Sequence, residues 1–233
     1  MHGVGETMLQ LKRAEYAVAD ETCVLMVTDF QTAGRGQRGT SWEADAGCNL
    51  LFGFTFVPHR IKATQQFALS EALALAVCEA LSEYAEGFTV KWPNDVLADG
   101  KKLCGILSEA VTGKNGFEAL VLGVGVNVAQ ADLSRAGQPA VSLKMLGIAL
   151  TPEEMLQRIL DRFFEGYEQV VNRGFESIRE AYLARFPYIG KPVTIRYGAQ
   201  EAAGTVQTLS PRGTLLLQTP QGVTEISIGD MMV

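Results

Sequence analysis

The residues best suited to chemistry lie in one glycine-rich segment, QTAGRGQRGTSWEADAGCNL, at 31–50. It contains three glycines at GxGxxG spacing and one of the chain's two tryptophans. Strand-like apolar runs precede and follow it, so we expect a loop whose unpaired backbone N–H groups can bind an anion. Arg35 and Arg38 add positive charge suited to a phosphate or carboxylate, and Trp42 offers a flat face for a heteroaromatic ring.

The GxGxxG spacing also occurs in dinucleotide-binding folds, where a helix opens directly after the glycines. Residues 40–47 show no helical apolar periodicity, and a strand-like run follows them. The nicotinamide or flavin interpretation is therefore disfavoured. A plain surface loop with glycines at its turns remains the other alternative.

Three further segments place polar residues or glycines at the ends or in the middle of predicted strands. Asn94 and Asp95 could form a simple turn, or could hold Mg²⁺ or a ribose. Lys102 could neutralise a carboxylate–phosphate pair, and Gly105 would let a ligand approach the backbone. The run GVGVN at 123–127 repeats this pattern, although paired glycines also mark bulges. Together these residues suit the binding of a small organic acid beside a nucleotide.

Nucleophilic catalysis by the protein is not indicated. The chain offers no Ser-His-Asp or Cys-His set, and His59 follows Pro58 without an evident partner. The expected chemistry is positioning and charge stabilisation. The four cysteines lie 25 or more residues apart with no CxxC, which disfavours zinc and indicates reduced thiols.

Composition limits the possible classes of protein. With 233 residues, 47% of them apolar, the chain can bury a sizeable core. A net charge of −6 argues against a nucleic-acid partner. No signal segment and no apolar run near 18 residues is found, so we expect a cytoplasmic protein without a membrane partner.

These residues must be positioned by helices and strands, and the order of the predicted elements indicates an α+β protein with a mixed or antiparallel central sheet. An amphipathic helix is expected from residue 7 to 18, and a core helix from 64 to 84. Turn signals at Asp99-Gly100 and Asn115-Gly116 join strands into hairpins. The predicted strands are 23–28, 49–57, 88–92, 96–97, 103–111 and 117–128.

The last third of the chain predicts helices and then a small β domain. A capping box with proline opens a helix over 151–172, and a further helix follows at 175–185. Four short β-type runs come after a proline and a glycine, and they indicate a small SH3-like barrel. We therefore divide the chain into a catalytic domain, 1–187, and a barrel domain, 188–233.

Four motifs in order, GRGQRGTSW, KWPNDV, KKLCGILSE and GVGVNV, resemble the biotin protein ligases. The run AVSL at 140–143 and the C-terminal β domain also fit, so the resemblance covers nearly the whole chain. It implies the catalytic fold shared by class II synthetases and biotin–lipoate ligases, followed by an SH3-like barrel. The chain resembles the short, monofunctional members that lack a DNA-binding domain.

The resemblance implies a two-step reaction. The carboxylate of biotin attacks the α-phosphate of ATP, with Mg²⁺ as cofactor, and gives biotinyl-adenylate and pyrophosphate. A lysine of a biotin carboxyl carrier domain then attacks the mixed anhydride. An exposed strand of the sheet could pair two subunits into a homodimer, or pair with the carrier domain.

The resemblance also implies roles for individual residues. Lys102 and Arg35 would be catalytic, and Asp95 would help to hold Mg²⁺. Trp42 would cover the adenine, with Asn127 bonding near it. The biotin-binding residues would be Thr7, Gln31, Gly34, Arg35, Lys102 and Gly105. The residues that bind ATP or the adenylate would be Arg38, Trp42, Asn94, Asp95, Lys102 and Asn127.

Two positions depart from the family pattern. Many members have Ser-Thr-Asn near the N-terminus, where this chain has Glu6-Thr7-Met8. Many also have an arginine where this chain has Gln37, and loss of that charge is expected to loosen retention of the adenylate. The alternatives are a lipoate ligase, which also makes an acyl-adenylate, and a non-catalytic biotin or nucleotide sensor.

Overall fold

A computed structural model describes residues 12–18, 21–58, 60–114 and 116–232. These residues form a seven-stranded sheet, a five-stranded sheet and three α-helices. The strands of the first sheet are β1 (Lys12–Val18), β2 (Glu21–Thr28), β3 (Leu50–Phe56), β4 (Phe88–Lys91), β5 (Asp95–Ala98), β6 (Lys101–Gly113) and β7 (Gly116–Val126). The helices are α1 (Gln66–Leu81), α2 (Pro152–Arg173) and α3 (Glu176–Ala184).

The first sheet has the order β1-β2-β3-β7-β6-β5-β4, and every neighbouring pair is antiparallel. The predicted α+β class with an antiparallel central sheet is therefore confirmed. Asp99 and Gly100 join β5 to β6 with φ values of 48° and 76°, as a tight hairpin turn requires. Thr151 caps α2, since its Oγ1 accepts a hydrogen bond from the Glu154 backbone N–H.

The predicted N-terminal helix is wrong over residues 12–18, which form β1. The apolar residues of this run fit a period of two as well as a helical period, so the pattern alone does not decide. β1 pairs with β2 along its length, with Lys12 opposite Val27 and Val18 opposite Glu21. The unpaired backbone groups of β2 favour the strand. The start of the predicted helix and Thr7 lie outside the described residues.

One face of the first sheet is covered by helices. Phe54 and Phe56 of β3 contact Phe163 and Tyr167 of α2, with ring centroids 4.8 and 5.5 Å apart. α1 is buried along most of its length against the same core. The core therefore lies on this face, whereas Gly105 and Leu107 on the opposite face are only half-buried. No helix among the described residues is long and apolar enough to cross a bilayer.

The second sheet contains β8 (Pro192–Tyr197), β9 (Gln200–Leu209), β10 (Leu215–Thr219), β11 (Gly222–Ile226) and β12 (Asp230–Met232). Its order is β11-β10-β9-β8-β12, so β11 and β12 are edges and no closed barrel forms among the described residues. Short β-type runs predict the strands, but closure needs pairing of distant strands that no local pattern encodes. The domain boundary after residue 187 stays a prediction.

A buried acid on α1 lacks a hydrogen-bond partner among the described residues. The side chain of Glu71 is 2% exposed, and neither carboxyl oxygen accepts a hydrogen bond there. Burial raises the pKa of Glu71 well above its ordinary value of 4.5, and the guanidinium of Arg179 offsets only part of this effect. The folded protein therefore favours the protonated acid.

We expect Glu71→Gln to raise the free energy of unfolding at pH 8 by about 1 kcal/mol or more, because the amide need not bind a proton in order to be buried. The pKa of Glu71 is raised in the folded state, so wild-type stability falls as the pH rises above 4.5 towards the folded pKa. The advantage of the variant should therefore shrink at pH 4. Urea denaturation at both pH values measures it, with the exposed Glu86→Gln as the control. An equal gain at both pH values would contradict the assignment.

Candidate functional site

The face of the first sheet opposite α1 carries a floor of glycines. Gly105 of β6 lies opposite Gly125 of β7, and Gly123 lies opposite Gly53 of β3. A Cβ atom added to Gly125 would lie 2.5 Å from Cε2 of Trp42, and one added to Gly105 would lie 3.0 Å from its Cζ3. The Trp42 ring therefore lies directly on the backbone of β6 and β7, and only glycine leaves room for it.

The glycine floor continues beyond Trp42 at Gly123, where an added Cβ atom would make only ordinary van der Waals contacts. A Cβ atom added to Gly123 would meet nothing closer than the Leu107 carbonyl oxygen, at 3.8 Å. Leu107 itself is half-buried. A flat ring system could lie on this backbone beside the indole.

Lys102 lies at the Gly105 end of the floor. Its Nζ is 2.7 Å from Asp95 Oδ1 and 5.6 Å from the centroid of the Trp42 ring. A Cβ atom added to Gly105 would be 3.4 Å from Nζ. Only 17% of the Lys102 side chain and 12% of the Asp95 side chain are exposed, so this pair is partly shielded from water. Asp95 therefore holds the positively charged ammonium group of Lys102 above the glycine floor.

Asn94 fixes the turn that carries Asp95. Its Nδ2 donates to the Ile106 carbonyl at 2.8 Å, and the Ile106 N–H donates to the Asn94 carbonyl at 2.9 Å. These two bonds attach the KWPND turn to the middle of β6. The side-chain nitrogen of Asn94 is thus used inside the protein, and Asn94 positions Asp95.

Asn127 is buried and holds a neighbouring segment against β6. Its Nδ2 donates to the carbonyls of Val141, at 3.2 Å, and Lys102, at 3.4 Å. Ala140 pairs with Lys102 in a parallel bridge. The structure therefore brings the AVSL run next to the lysine, a proximity that the motifs alone did not predict. The predicted contact of Asn127 with a nucleotide stays a prediction.

The glycine loop is a closed hairpin that carries Trp42 to the floor. The Trp42 N–H donates to the Gly34 carbonyl at 3.0 Å, and Arg35 forms a bridge with Ser41. A side chain at Gly34 would clash with the Trp42 carbonyl and would lie 2.9 Å from Gln31 Oε1. Gln31, Gly34 and Trp42 are thereby brought together. Arg35 is exposed, and the side chain of Arg38 lies outside the described part.

Trp42 lies beside two residues that were predicted to bind biotin, Lys102 and Gly105. Its indole Nε1 is buried and has no hydrogen-bond partner among the residues described. A buried donor without an acceptor can serve a ligand. The predicted stacking of Trp42 on adenine stays a prediction.

The donor set does not fit a metal ion held by the protein alone. No cluster of three His, Cys, Asp or Glu residues that could hold a metal occurs in the described ranges. Asp95 Oδ1 already contacts the Lys102 ammonium group at 2.7 Å. Mg²⁺ usually takes one or two carboxylates together with substrate phosphates. The Lys102 ammonium group beside Asp95 repels a cation and occupies one of its carboxylate oxygens, which disfavours metal binding by Asp95 alone.

The motifs did not reveal the structural roles of Gln130, Asn49 and Trp92 near the site. Gln130 and Asn49 are both 3% exposed and bond to each other at the base of the glycine loop. Trp92 of KWPND is 1% exposed, and its Nε1 donates to the Gly213 carbonyl of the second sheet at 2.9 Å. Asn49 directly precedes the glycine-bearing strand β3, which is a weak signal, whereas no sequence signal pointed to Gln130.

Comparison with known proteins agrees with this geometry. Residues 16–127 match the Biotin/lipoate A/B protein ligase family, and residues 188–232 match the Biotin protein ligase C terminal domain. The biotin–[acetyl-CoA-carboxylase] ligase of Paracoccus denitrificans is 36% identical over 202 residues, which is 82% of this chain and 82% of the relative. The ligase of the same name from Mycobacterium tuberculosis is 30% identical over 233 residues, 98% of this chain and 85% of the relative.

A solved structure is also similar. The biotin protein ligase from Aquifex aeolicus in complex with biotin and ATP has a TM-score of 0.76 and 30% sequence identity. The similarity covers 89% of this chain and 87% of that one. The chain therefore belongs to the biotin protein ligases of the biotin/lipoate A/B protein ligase family.

Proposed function

We propose that this chain is an ATP-dependent biotin protein ligase. It joins the carboxylate of biotin to AMP and then passes biotin to a lysine of a carrier domain. The observation that carries the proposal is the Lys102 ammonium group, held by Asp95 over a glycine floor that Trp42 partly covers. The relatives named above are biotin–[acetyl-CoA-carboxylase] ligases, so the carrier is a biotin domain of a carboxylase.

The geometry suggests where the acid lies. The fused rings of biotin rest on the open backbone at Gly123, next to Trp42, and the carboxylate points to Lys102. Placing a carboxylate against an α-phosphate brings two anions together, and a nearby ammonium group offsets their repulsion. The carboxylate oxygen then bonds to phosphorus as pyrophosphate leaves. No protein nucleophile is needed, and the protein's contribution is positioning and charge.

The glycine loop supplies positive charge on the nucleotide side of the site. Arg35 and Arg38 of the loop approach the phosphates or the carboxylate, and Asp95 lies near the nucleotide through its pair with Lys102. Mg²⁺ would arrive with the triphosphate of ATP, where it would offset phosphate charge, and Asp95 would be the carboxylate nearest to it. Thr7 stays a proposed biotin ligand outside those residues.

The second step transfers biotin to the carrier. The lysine nitrogen of the carrier attacks the acyl carbon, and AMP leaves with its electron pair. The loop hairpin over the floor keeps water from the anhydride before the carrier arrives. Among the described residues β1 forms an edge of the first sheet, and a strand of the carrier or of a second subunit in a homodimer pairs with it in this proposal.

ATP–pyrophosphate exchange tests the function directly. We expect exchange that depends on biotin and not on lipoate, with ATP and Mg²⁺ present. Exchange with lipoate alone would keep the acyl-adenylate chemistry but replace the substrate. The absence of exchange with either acid would favour a non-catalytic sensor.

Gln37→Arg is expected to slow release of the adenylate by about tenfold, which is the size of one charge-assisted hydrogen bond. Gln37 opens the 3-10 turn Gln37–Gly39, and its carbonyl accepts from the Thr40 N–H and Oγ1 at 3.1 and 2.8 Å. The backbone is thus kept, and only a positive charge is added to the loop. Release of labelled adenylate during a chase with unlabelled biotin measures the rate. Gln37→Met is the uncharged control, and equal rates for all three proteins would refute the role of charge.

A further inference from the structure

We propose that Gln130 is a positioning residue that fixes the base of the glycine loop and so sets where Trp42 lies on the glycine floor. This inference rests on the proposed ligase function for its kinetic consequence. Its structural consequence is independent of the substrate.

Gln130 is buried, and its side-chain amide forms hydrogen bonds with two residues at the base of the glycine loop. Its Oε1 accepts from the Asp45 backbone N–H at 3.2 Å and from Asn49 Nδ2. Its Nε2 donates to the Asp132 carbonyl at 3.0 Å. Gln130 and Asn49 are both 3% exposed, so removing the Gln130 amide leaves the buried Asn49 side chain without this acceptor.

Asp45 is the important contact because it lies only three residues after Trp42. The backbone bonds of the loop base begin later in the chain. The Gly47 N–H donates to the Asp29 carbonyl at 2.9 Å, and the Ala129 N–H donates to the Cys48 carbonyl at 2.6 Å. Gln130 is therefore the first buried anchor after Trp42 among the described contacts.

Surface ion pairs also reach this part of the loop, but they contribute less. Arg135 lies 3.0 Å from Asp45 Oδ1 and 3.6 Å from Glu43 Oε2. All three side chains are largely exposed, with Arg135 at 62%. Exposed pairs contribute about 0–1 kcal/mol and are screened by salt. The buried amide is therefore the stronger constraint.

The segment that contains Gln130 also contacts the strand of the catalytic lysine. The Val128 N–H donates to Asn49 Oδ1 at 3.0 Å, while Asn127 Nδ2 donates to the Lys102 carbonyl. One short segment thus holds both the loop base and the start of β6. This segment therefore links the loop that carries Trp42 to the strand that carries Lys102, whose Nζ lies 5.6 Å from the centroid of the Trp42 ring.

Loss of the Gln130 amide should loosen the loop without disturbing the Lys102–Asp95 pair. Binding of the acid and of the adenylate then weakens, whereas the chemistry of a fully bound substrate is little changed. We expect KM for biotin and the release rate of the adenylate to rise about tenfold, with less than about a threefold fall in the rate at saturating biotin.

The main variant is Gln130→Met, which keeps the side-chain length but neither accepts nor donates in this network. Gln130→Glu retains acceptor oxygens for Asp45 and Asn49 and should fall between wild type and Gln130→Met. The matched control is Gln207→Met, since Gln207 is an exposed glutamine of the second sheet. Should Gln130→Met fail to fold, Gln130→Asn replaces it, because its amide is too short to reach Asp45.

Acrylamide quenching reports the position of Trp42 without any substrate. The chain has two tryptophans, and Trp92 is 1% exposed, so quenching is dominated by Trp42. We expect the quenching constant to rise about twofold in Gln130→Met, because Trp42 spends more time away from the glycine floor, and to stay unchanged in Gln207→Met.

The two measurements separate the failure of each proposal. A wild-type protein without biotin-dependent exchange would overturn the ligase function but leave the quenching test valid. A folded Gln130→Met with unchanged quenching and unchanged KM would overturn the positioning role. A lower melting temperature with no change in quenching would show that Gln130 contributes only to stability. That result would also overturn its positioning role.

Discussion

Lys102→Ala is expected to lower biotin-dependent pyrophosphate exchange by about a thousandfold or more. The substitution removes the ammonium group that lies 2.7 Å from Asp95 Oδ1 and above the glycine floor. A single preorganised donor contributes about a hundredfold to a thousandfold to such a step, and a full charge between two anions contributes at least as much. Biotin should still bind, because the floor and Trp42 stay in place, so the loss should appear mainly in the rate at saturating substrate.

The neighbouring residue provides the control for this prediction. Lys101 is exposed and precedes Lys102 in the same strand, so Lys101→Ala removes the same charge from the net total but not from the site. Its exchange rate should be close to that of wild type. Lys102→Ala leaves Asp95 without its partner, so a melting curve must show that the variant is folded. Near-normal exchange by folded Lys102→Ala would mean that the site is assigned wrongly.

The hairpins and the helix caps were predictable because their signals are local. Asp99-Gly100 specifies a turn with two positive φ values, and Thr151 specifies a cap through bonds to a residue three positions away. β1 was not predictable, because its apolar pattern fits two periods and a pairing partner in the sheet decides between them. The open order of the second sheet, with β11 and β12 at its edges, was not predictable from local patterns either, because strand pairing joins residues that are distant in sequence.

For the site as well, the residues within single motifs were predictable, whereas contacts between residues distant in sequence were not. The motifs indicated that Lys102, Asp95 and the glycines belong together, and the structure places Lys102, Asp95 and Gly105 within one short region. The motifs did not indicate that Trp42 would lie on two strands of the sheet. That contact joins residues more than 60 positions apart, and it depends on the register that sets Gly105 opposite Gly125.

The packing of Trp42 on glycine leads to the second large effect, that of Gly125→Ala. A Cβ atom at this position would lie 2.5 Å from Cε2 and 2.7 Å from Cζ2 of Trp42. These atoms belong to a rigid ring, so the indole must leave the floor, since the β7 backbone is held by strands on both sides. We expect exchange at low biotin concentration to fall about a hundredfold and quenching of Trp42 by acrylamide to increase. Retention of the wild-type quenching constant would contradict this geometry.

Gly123→Ala tests the same floor two residues away and should give a different pattern. Its added Cβ would lie 3.8 Å from the nearest atom, so Trp42 has no reason to move and its quenching should match wild type. The methyl group would nevertheless occupy the space proposed for the rings of biotin, so KM for biotin should rise about tenfold or more. Gly166→Ala on α2, where an added Cβ meets only Ala72 at 4.0 Å, should change neither quantity. If Gly123→Ala left KM for biotin unchanged, biotin would have to bind elsewhere than on the part of the floor at Gly123. If Gly125→Ala left both exchange and quenching unchanged, Trp42 would not be part of the site. The pair of variants therefore separates the surface that holds the indole from the surface that holds the substrate.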